Sequence, residues 1–263
     1  QINWNVDKLI LGHTNGTDEI AVYGVASQFN SLFITFSTTI SSVFAPRVNH
    51  IAVEKGENYH TEFTKKMKKI GRIQWMILGL LTGGFIVFGK YFIVHIYAGT
   101  GYEDAYTAAL YLVIPALVPL IQNIGIEMQR ALNMHQFRSI IYLMISIVNV
   151  GISIPLAVRW GAVGAAMGTA ISLFAGNILF MNWYYQARIG MNMIYFWKEI
   201  AKFIPALIVP CIVGIVIMKF TRITCLIKLG VFALIYTAVY FISMYFLGMN
   251  EEEKRIVDKP IRK

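Results

Sequence analysis

Seven apolar stretches, each close to the length of a bilayer crossing, follow one another along the chain at residues 20–45, 73–96, 105–128, 140–157, 163–185, 203–220 and 226–247. A hydrocarbon core of about 30 Å takes roughly 20 helical residues to cross, at ~1.5 Å of rise each. In lipid the backbone amides must bond within their own element, which leaves helices as the natural form for such runs. The pattern predicts an all-α fold, a polytopic transmembrane helix bundle. Composition agrees: 57% of the 263 residues are hydrophobic and only 14% charged, against about 25% charged in soluble domains. Mean hydropathy is +0.59.

A formal net charge of +9 would suit nucleic acid, but its distribution suits a membrane. The cations sit between the apolar runs, as the positive-inside rule describes. With residues 12–19 placed outside and the chain weaving from there, 17 of the 23 Lys and Arg fall on the inner side, including Lys65, Lys66, Lys68, Lys69, Arg72, Arg130 and Arg138. Lys8, Lys90, Arg159, Lys219, Arg222 and Lys228 fall outside. The expected location is therefore the cytoplasmic membrane, multi-pass, with a cytoplasmic C-terminus. No nucleic-acid partner is expected. The chain opens on Gln1 without an initiator Met, which suggests a fragment whose first helix starts upstream.

The longest polar connection, 47–72, reads as an amphipathic and partly helical segment with Phe63, Met67 and Ile70 on one apolar face. Residues 187–202 repeat the idea with Met191, Ile194, Tyr195 and Trp197. Gly161, Gly164, Ala165, Gly168 and Ser172 put small residues at helical spacing, which lets helices approach closely in lipid. Pro115 and Pro119 share one run and predict a kink.

Catalytic chemistry is sparse. Cys211 and Cys225 stand too far apart for a zinc set, the five His are dispersed, and no phosphate-cradling glycine loop of the nucleotide-hydrolysing type occurs. No metal site and no enzyme activity is expected. Polar residues inside apolar runs are the candidates for function, because a mid-bilayer charge costs about 2.5–3.5 kcal/mol on insertion scales. The first cluster is Asn5, Asp7 and Lys8; the second is Gln122, Asn123, Glu127 and Arg130. Glu127 and Arg130 have the spacing of a helical ion pair. Either cluster could line a water-filled cavity, or sit at a hydrated helix end. Asn149 and Asn177 have the look of interhelical hydrogen-bonding residues, and Gln28 and Asn30 form a similar polar patch.

The stretch IGIEMQRALNMHQFRS at 124–139 resembles the inner end of a helix in bacterial polysaccharide flippases. So do NVGISIPL at 149–156, GAVGAAMGT at 161–169 and NWYY at 182–185. NVDKLILG at 5–12, followed by VYGVA at 22–26, resembles the start of that family's second lobe. These are the Wzx-type translocases of the multidrug/oligosaccharidyl-lipid/polysaccharide exporter superfamily, and the resemblance runs over nearly the whole chain. It implies a second-lobe transmembrane bundle over 1–185, an interfacial segment at 186–202, two additional spans at 203–247 and a cytoplasmic tail at 248–263. It implies flipping of undecaprenyl-pyrophosphate-linked repeat units through a cationic cavity by alternating access. The substrate partner is then a lipid-linked oligosaccharide among membrane lipids, with the polysaccharide polymerase and chain-length machinery as candidate protein partners. On that resemblance Lys8 and Arg130 contact phosphate, Asn5, Gln122 and Asn123 line the cavity, and Asp7 or Glu127 binds a coupling Na+ or proton, with no organic cofactor. The siblings in view are a lipid II flippase and a drug/cation antiporter. A membrane glycosyltransferase or polymerase is the alternative from another class.

Overall fold

A computed structural model describes residues 2–55, 59–221 and 226–258, with side chains from residue 6 onward except that of Lys55. Among the described residues the regular structure is helical throughout. The helices are α1 (Ile2–Thr14), α2 (Thr17–Lys55), α3 (Tyr59–Phe92), α4 (Glu103–Ile121), α5 (Ile124–Ala131), α6 (Gln136–Leu173), α7 (Asn182–Ala187), α8 (Met193–Ala201), α9 (Ile204–Phe220), α10 (Leu226–Ser243) and α11 (Glu251–Asp258). Wider π-helical turns continue α3 (Ile93–Tyr97), lead α6 into α7 (Phe174–Met181) and close α10 (Met244–Gly248).

Five stretches are long and apolar enough to cross a membrane: Tyr59–Tyr97, Glu103–Ile121, Gln136–Ala187, Met193–Phe220 and Leu226–Gly248. Their outward faces carry Leu143, Ile147, Ile208, Ile212 and Leu234, all exposed. Water would not tolerate so continuous an apolar surface, and lipid would. The protein is an all-α bundle of membrane type.

Three boundaries differ from the sequence expectation. Gln136–Ala187 holds two of the predicted spans, joined at a tight break. Trp160 (φ −131°, ψ 19°) and Gly161 (φ 53°, ψ −135°) leave the helical region, so α6 is a hairpin of two arms, 136–159 and 162–173. Gly161 adopts a positive φ that glycine alone tolerates cheaply. It also lies against the Glu19 carboxylate, which accepts from Ala162 N at 2.6 Å and so caps the second arm. From Arg138 to Trp160 the first arm rises about 33 Å, close to one hydrocarbon thickness. The arms touch through their small residues. A methyl on Gly164 would strike the Leu156 carbonyl, and one on Gly168 would strike Ser153.

The predicted span 105–128 also divides. Pro115 and Pro119 both lie within α4, which runs past them to Ile121. The break follows at Gln122–Asn123, where Asn123 N bonds Leu120 O (3.2 Å) and Gly125 N bonds Gln122 O (2.8 Å). These i,i+3 turns interrupt the regular helical ladder.

The first predicted span, 20–45, becomes α2, a single helix of 39 residues that carries Pro46 within it. It is not among the five apolar spans, because Ser and Thr occupy two of its faces. Ser27, Asn30, Ser37 and Ser41 are buried against the bundle. Ser31, Thr35, Thr38 and Ser42 are exposed.

The core has two main parts. Beside α1 it is small-grained, with Tyr23 and Leu11 among Ala108, Ala109, Ala162, Ala165 and Ala166. Toward the lysine-rich end it is larger-grained, with Phe63, Met67, Ile70, Leu120, Tyr185 and Phe196. Phe63, Met67 and Ile70 thus share the buried face of the α3 extension. On α8 the buried residues are Met193, Phe196 and Ile200, whereas Ile194 is 59% exposed. The expected Met191–Ile194–Tyr195–Trp197 face is therefore rotated: the core takes Met191 and Phe196, and Ile194 faces outward. Asn192 Oδ1 accepts from Tyr195 N at 2.9 Å and starts this helix.

The α9–α10 pair rides on α3. Tyr240 Oη donates to Met76 O (2.7 Å), and Gly79 and Gly83 leave the room that Tyr240 and Tyr236 fill. A buried arginine fastens the lysine-rich end. Arg72, 1% exposed, bonds Glu253 of α11 through Nε and Nη2, both at 2.7 Å. Nη1 reaches Glu199 O (2.9 Å), Nη2 donates also to Gly248 O (2.8 Å), and the guanidinium carbon lies 4.3 Å from the centre of the Phe203 ring.

Candidate functional site: a buried carboxylate, a hydroxyl stripe and an arginine cavity

Asp7 sits inside the bundle, fully buried, where α1 meets α2 and both arms of α6. Tyr23 Oη donates to Oδ2 at 2.6 Å and Thr169 Oγ1 to the same oxygen at 2.5 Å. Asn149 Nδ2 donates to Oδ1 at 3.2 Å. Behind them Ser153 Oγ donates to Asn149 Oδ1 at 2.9 Å. Asn149 lies about 16 Å along α6 from the Trp160 break, near the middle of a bilayer. Hydrogen-bond donors offset part of the cost of burying a carboxylate there. The set is one carboxylate, one amide and three hydroxyls. Oxygen-only sites suit a hard cation or a proton rather than a soft transition metal. Among the described residues no group of three His, Cys, Asp or Glu could hold a metal ion.

The second feature is the outer face of α2. Ser31, Thr35, Thr38 and Ser42 repeat at helical spacing on one exposed stripe about 17 Å long. Each hydroxyl bonds a carbonyl of its own helix: Ser31 to Ser27 O (2.9 Å), Thr35 to Ser31 O (2.9 Å), Thr38 to Ile34 O (2.9 Å) and Ser42 to Thr39 O (2.8 Å). Their oxygens keep lone pairs for water or a ligand. Near the far end of the helix, Gln28 accepts from Tyr97 Oη.

The stripe leads into a cavity of about 420 Å3 between α2, α4, α5 and α6. Thr38 belongs to both. Asn123, Arg138, Ser139 and Tyr142 supply its other polar groups, and Ile34, Ala116, Pro119, Leu120, Ile126 and Leu173 its apolar wall. The lysine-rich end has its own open cleft of about 650 Å3, lined by His60, Lys65, Lys66, Lys68, Lys69 and Tyr195 among others.

Comparison with protein-family profiles, curated proteins and solved structures found no match.

The residues named from sequence scatter over this geometry. Asp7 is at the centre of the buried cluster. Lys8, the next residue, is half-buried and has no ion-pair partner among the described residues. The side chain of Asn5 lies outside the described residues. Gln122 is 2% exposed and spends its amide on Asn182 Oδ1 (2.8 Å), which also accepts from Trp197 Nε1 (2.7 Å); it ties α4 to α7 and α8. Asn123 lines the arginine cavity. Glu127 and Arg130 pair at 2.9 Å, with the Arg130 side chain 63% exposed and outside the cavity lining. Tyr23, Ser153 and Thr169 around Asp7, and Arg138 with Tyr142, were not singled out from sequence. The Arg138–Tyr142 spacing of i,i+4 was the available signal for the second group. The first needed the position of the α6 break.

Proposed function

We propose that this chain flips undecaprenyl-pyrophosphate-linked oligosaccharide repeat units across the bacterial cytoplasmic membrane by alternating access. The observation that carries the reading is the exposed hydroxyl stripe of α2 running into a cavity with an arginine in its wall. A glycan offers many hydroxyls and a pyrophosphate offers oxyanions, and neither crosses hydrocarbon unaided. A hydroxyl face can exchange hydrogen bonds with sugars as they pass, and a guanidinium can hold phosphate by paired bonds. The lipid tail stays in the bilayer. The resemblance of 5–12, 22–26, 124–139, 149–156, 161–169 and 182–185 to polysaccharide flippases supports the same substrate class. In this reading the lysine-rich end is cytoplasmic, and a second helical lobe faces the stripe and rocks against it.

Asp7 is the proposed coupling site, taking Na+ or a proton among Tyr23, Asn149, Ser153 and Thr169. A buried acid of this kind also favours a sibling activity, a drug/cation antiporter. The test is deletion of the gene in its host, with lipid-linked repeat units and surface polysaccharide as readouts. Flippase activity requires repeat units to accumulate on the inner leaflet while surface polysaccharide is lost. Normal surface polysaccharide, with new sensitivity to cationic drugs, would sink the flippase and leave the antiporter.

A further inference from the structure

Two arginines sit near the lysine-rich end: Arg72 is 1% exposed, whereas Arg138 is partly buried and opens on the cavity beside it, and their partners differ as well. Arg72 meets two carboxylates, Glu253 at 2.7 Å and Glu199 at 3.6 Å. Arg138 meets none among the described residues. Its Nη2 donates to Tyr142 Oη at 2.8 Å and its Nη1 to Tyr185 Oη at 3.2 Å, with the Tyr142 ring centre 4.8 Å from the guanidinium carbon. Phenols orient a guanidinium but bring no countercharge. Arginine does not shed its proton to escape the cost. A partly desolvated guanidinium with no countercharge, facing a cavity, is a natural partner for an anion.

The pieces around it hold it still. Tyr142 Oη donates on to Asn177 Oδ1 at 3.0 Å, in the π-helical segment between α6 and α7. Gly125 leaves Tyr185 its place, since a Cβ there would fall 2.6 Å from Tyr185 Oη. Two N–H groups are thus committed to phenols, which leaves others of the guanidinium fork for a ligand. The space beside it is the cavity of about 420 Å3, in which Thr38, Asn123 and Ser139 add hydrogen-bonding groups and the remaining wall is mainly apolar.

From this we infer that the cavity is a binding site for a phosphate-type oxyanion carried on an apolar chain, with Arg138 as its principal contact. Asn123, Ser139 and Thr38 are the secondary contacts. Tyr185 and Gly125 act as positioning residues. The oxyanion follows from the uncompensated arginine, and its identity as a lipid diphosphate rests on the flippase reading. Arg130, paired with Glu127 and outside the cavity lining, is not part of this proposed site.

The experiment uses the protein expressed from its own gene, purified into nanodiscs and titrated calorimetrically with farnesyl diphosphate, farnesol and inorganic pyrophosphate. Wild type is expected to bind the diphosphate more tightly than either other probe. Arg138→Gln should weaken diphosphate binding by about tenfold or more while leaving farnesol unchanged, and Arg138→Lys should recover part of it. Thr38→Trp, at the exposed rim, should block the same probe without touching the arginine. Arg138→Gln with a wild-type melting profile and wild-type diphosphate affinity overturns the site. If Arg138→Gln melts early, Thr38→Trp decides: unchanged affinity there overturns it equally. Inorganic pyrophosphate binding as tightly as farnesyl diphosphate overturns the lipid-borne assignment in favour of a free anion. Arg138-dependent binding, without inner-leaflet accumulation on gene deletion, would remove the flippase and leave the anion site standing. Accumulation with Arg138-independent binding would do the reverse.

Discussion

Single residues in this bundle divide by whether their polar groups are already spent. Arg72 is spent entirely, on Glu253, Glu199 and two backbone carbonyls, and its role is to fasten helices together. Removing one partner of such a buried pair leaves the other uncompensated, at a cost of about 3–5 kcal/mol. Arg72→Ala should therefore lower the thermal unfolding midpoint in detergent markedly, and Arg72→Lys, which lacks the fork, should recover only part of it. A wild-type melting curve for Arg72→Ala would show that α11 is not held through this contact. Asp7 is also hydrogen-bonded, yet by neutral donors alone, so its charge is available to a cation. Asp7→Asn keeps the shape and removes the charge. It should leave the protein folded by melting and reduce ion-driven transport in vesicles by about tenfold or more, within the usual range of coupling energies. Full transport by Asp7→Asn, still dependent on the ion gradient, would take coupling away from this site.

At the level of elements, α6 shows what the sequence made legible and what it did not. The apolar runs at 140–157 and 163–185 were readable because hydropathy is a property of composition, and their small residues announced a close packing seam. What partners the seam was not readable, since helical spacing gives a face and no neighbour. The answer lies in Gly161. Once the chain reverses there, Asn149 meets Thr169, Ser153 meets Gly168 and Tyr142 meets Asn177, and the Asp7 cluster assembles with them. Arg138 was lost for a related reason: counted from sequence it is one more inner-side cation, and only the positions of Tyr185 and α4 turn it toward a cavity. Gly161→Ala should cost about 1–3 kcal/mol, because its backbone lies in a region kept almost wholly by glycine, and should loosen the Glu19 cap. Equal melting of variant and wild type would mean the reversal is not strained by a side chain. On α2 the reverse lesson holds. Its span was anticipated, but the separation of buried Ser37 and Ser41 from exposed Ser31, Thr35, Thr38 and Ser42 depends on which side the bundle takes. Replacing the four exposed hydroxyl residues by Leu should preserve expression and membrane insertion, because lipid accepts leucine at least as readily, while abolishing transport. Retained transport would remove the stripe from the path.

For the whole molecule, the bundle presents two kinds of outer surface, and they predict different surroundings. The faces of α6, α9 and α10 carry Leu143, Ile147, Ile208, Ile212 and Leu234 and suit acyl chains. The outer face of α2 carries the hydroxyl stripe beside exposed Leu32, Phe36 and Val43, and the stripe ends in a cavity with a charged wall. A uniform lipid annulus around the bundle would place that arginine cavity against hydrocarbon, where a charge is costly. A hydrated path along α2 removes that cost, and with it the bundle has one wet side and several lipid sides. Single cysteines distinguish the two arrangements, in a background with Cys211 and Cys225 changed to Ser. At 31, 35, 38 and 42 they should react with a water-soluble, membrane-impermeant maleimide, whereas cysteines at 143, 147, 208 and 212 should not. With alternating access, position 42 should label from the lysine-rich side and position 31 from the opposite side, and addition of substrate should shift the balance between them. Uniform silence along α2, in protein that is folded and inserted, would make the stripe a lipid face with internally bonded hydroxyls. That outcome would withdraw the translocation path while leaving the Arg138 cavity to be judged by its own ligand.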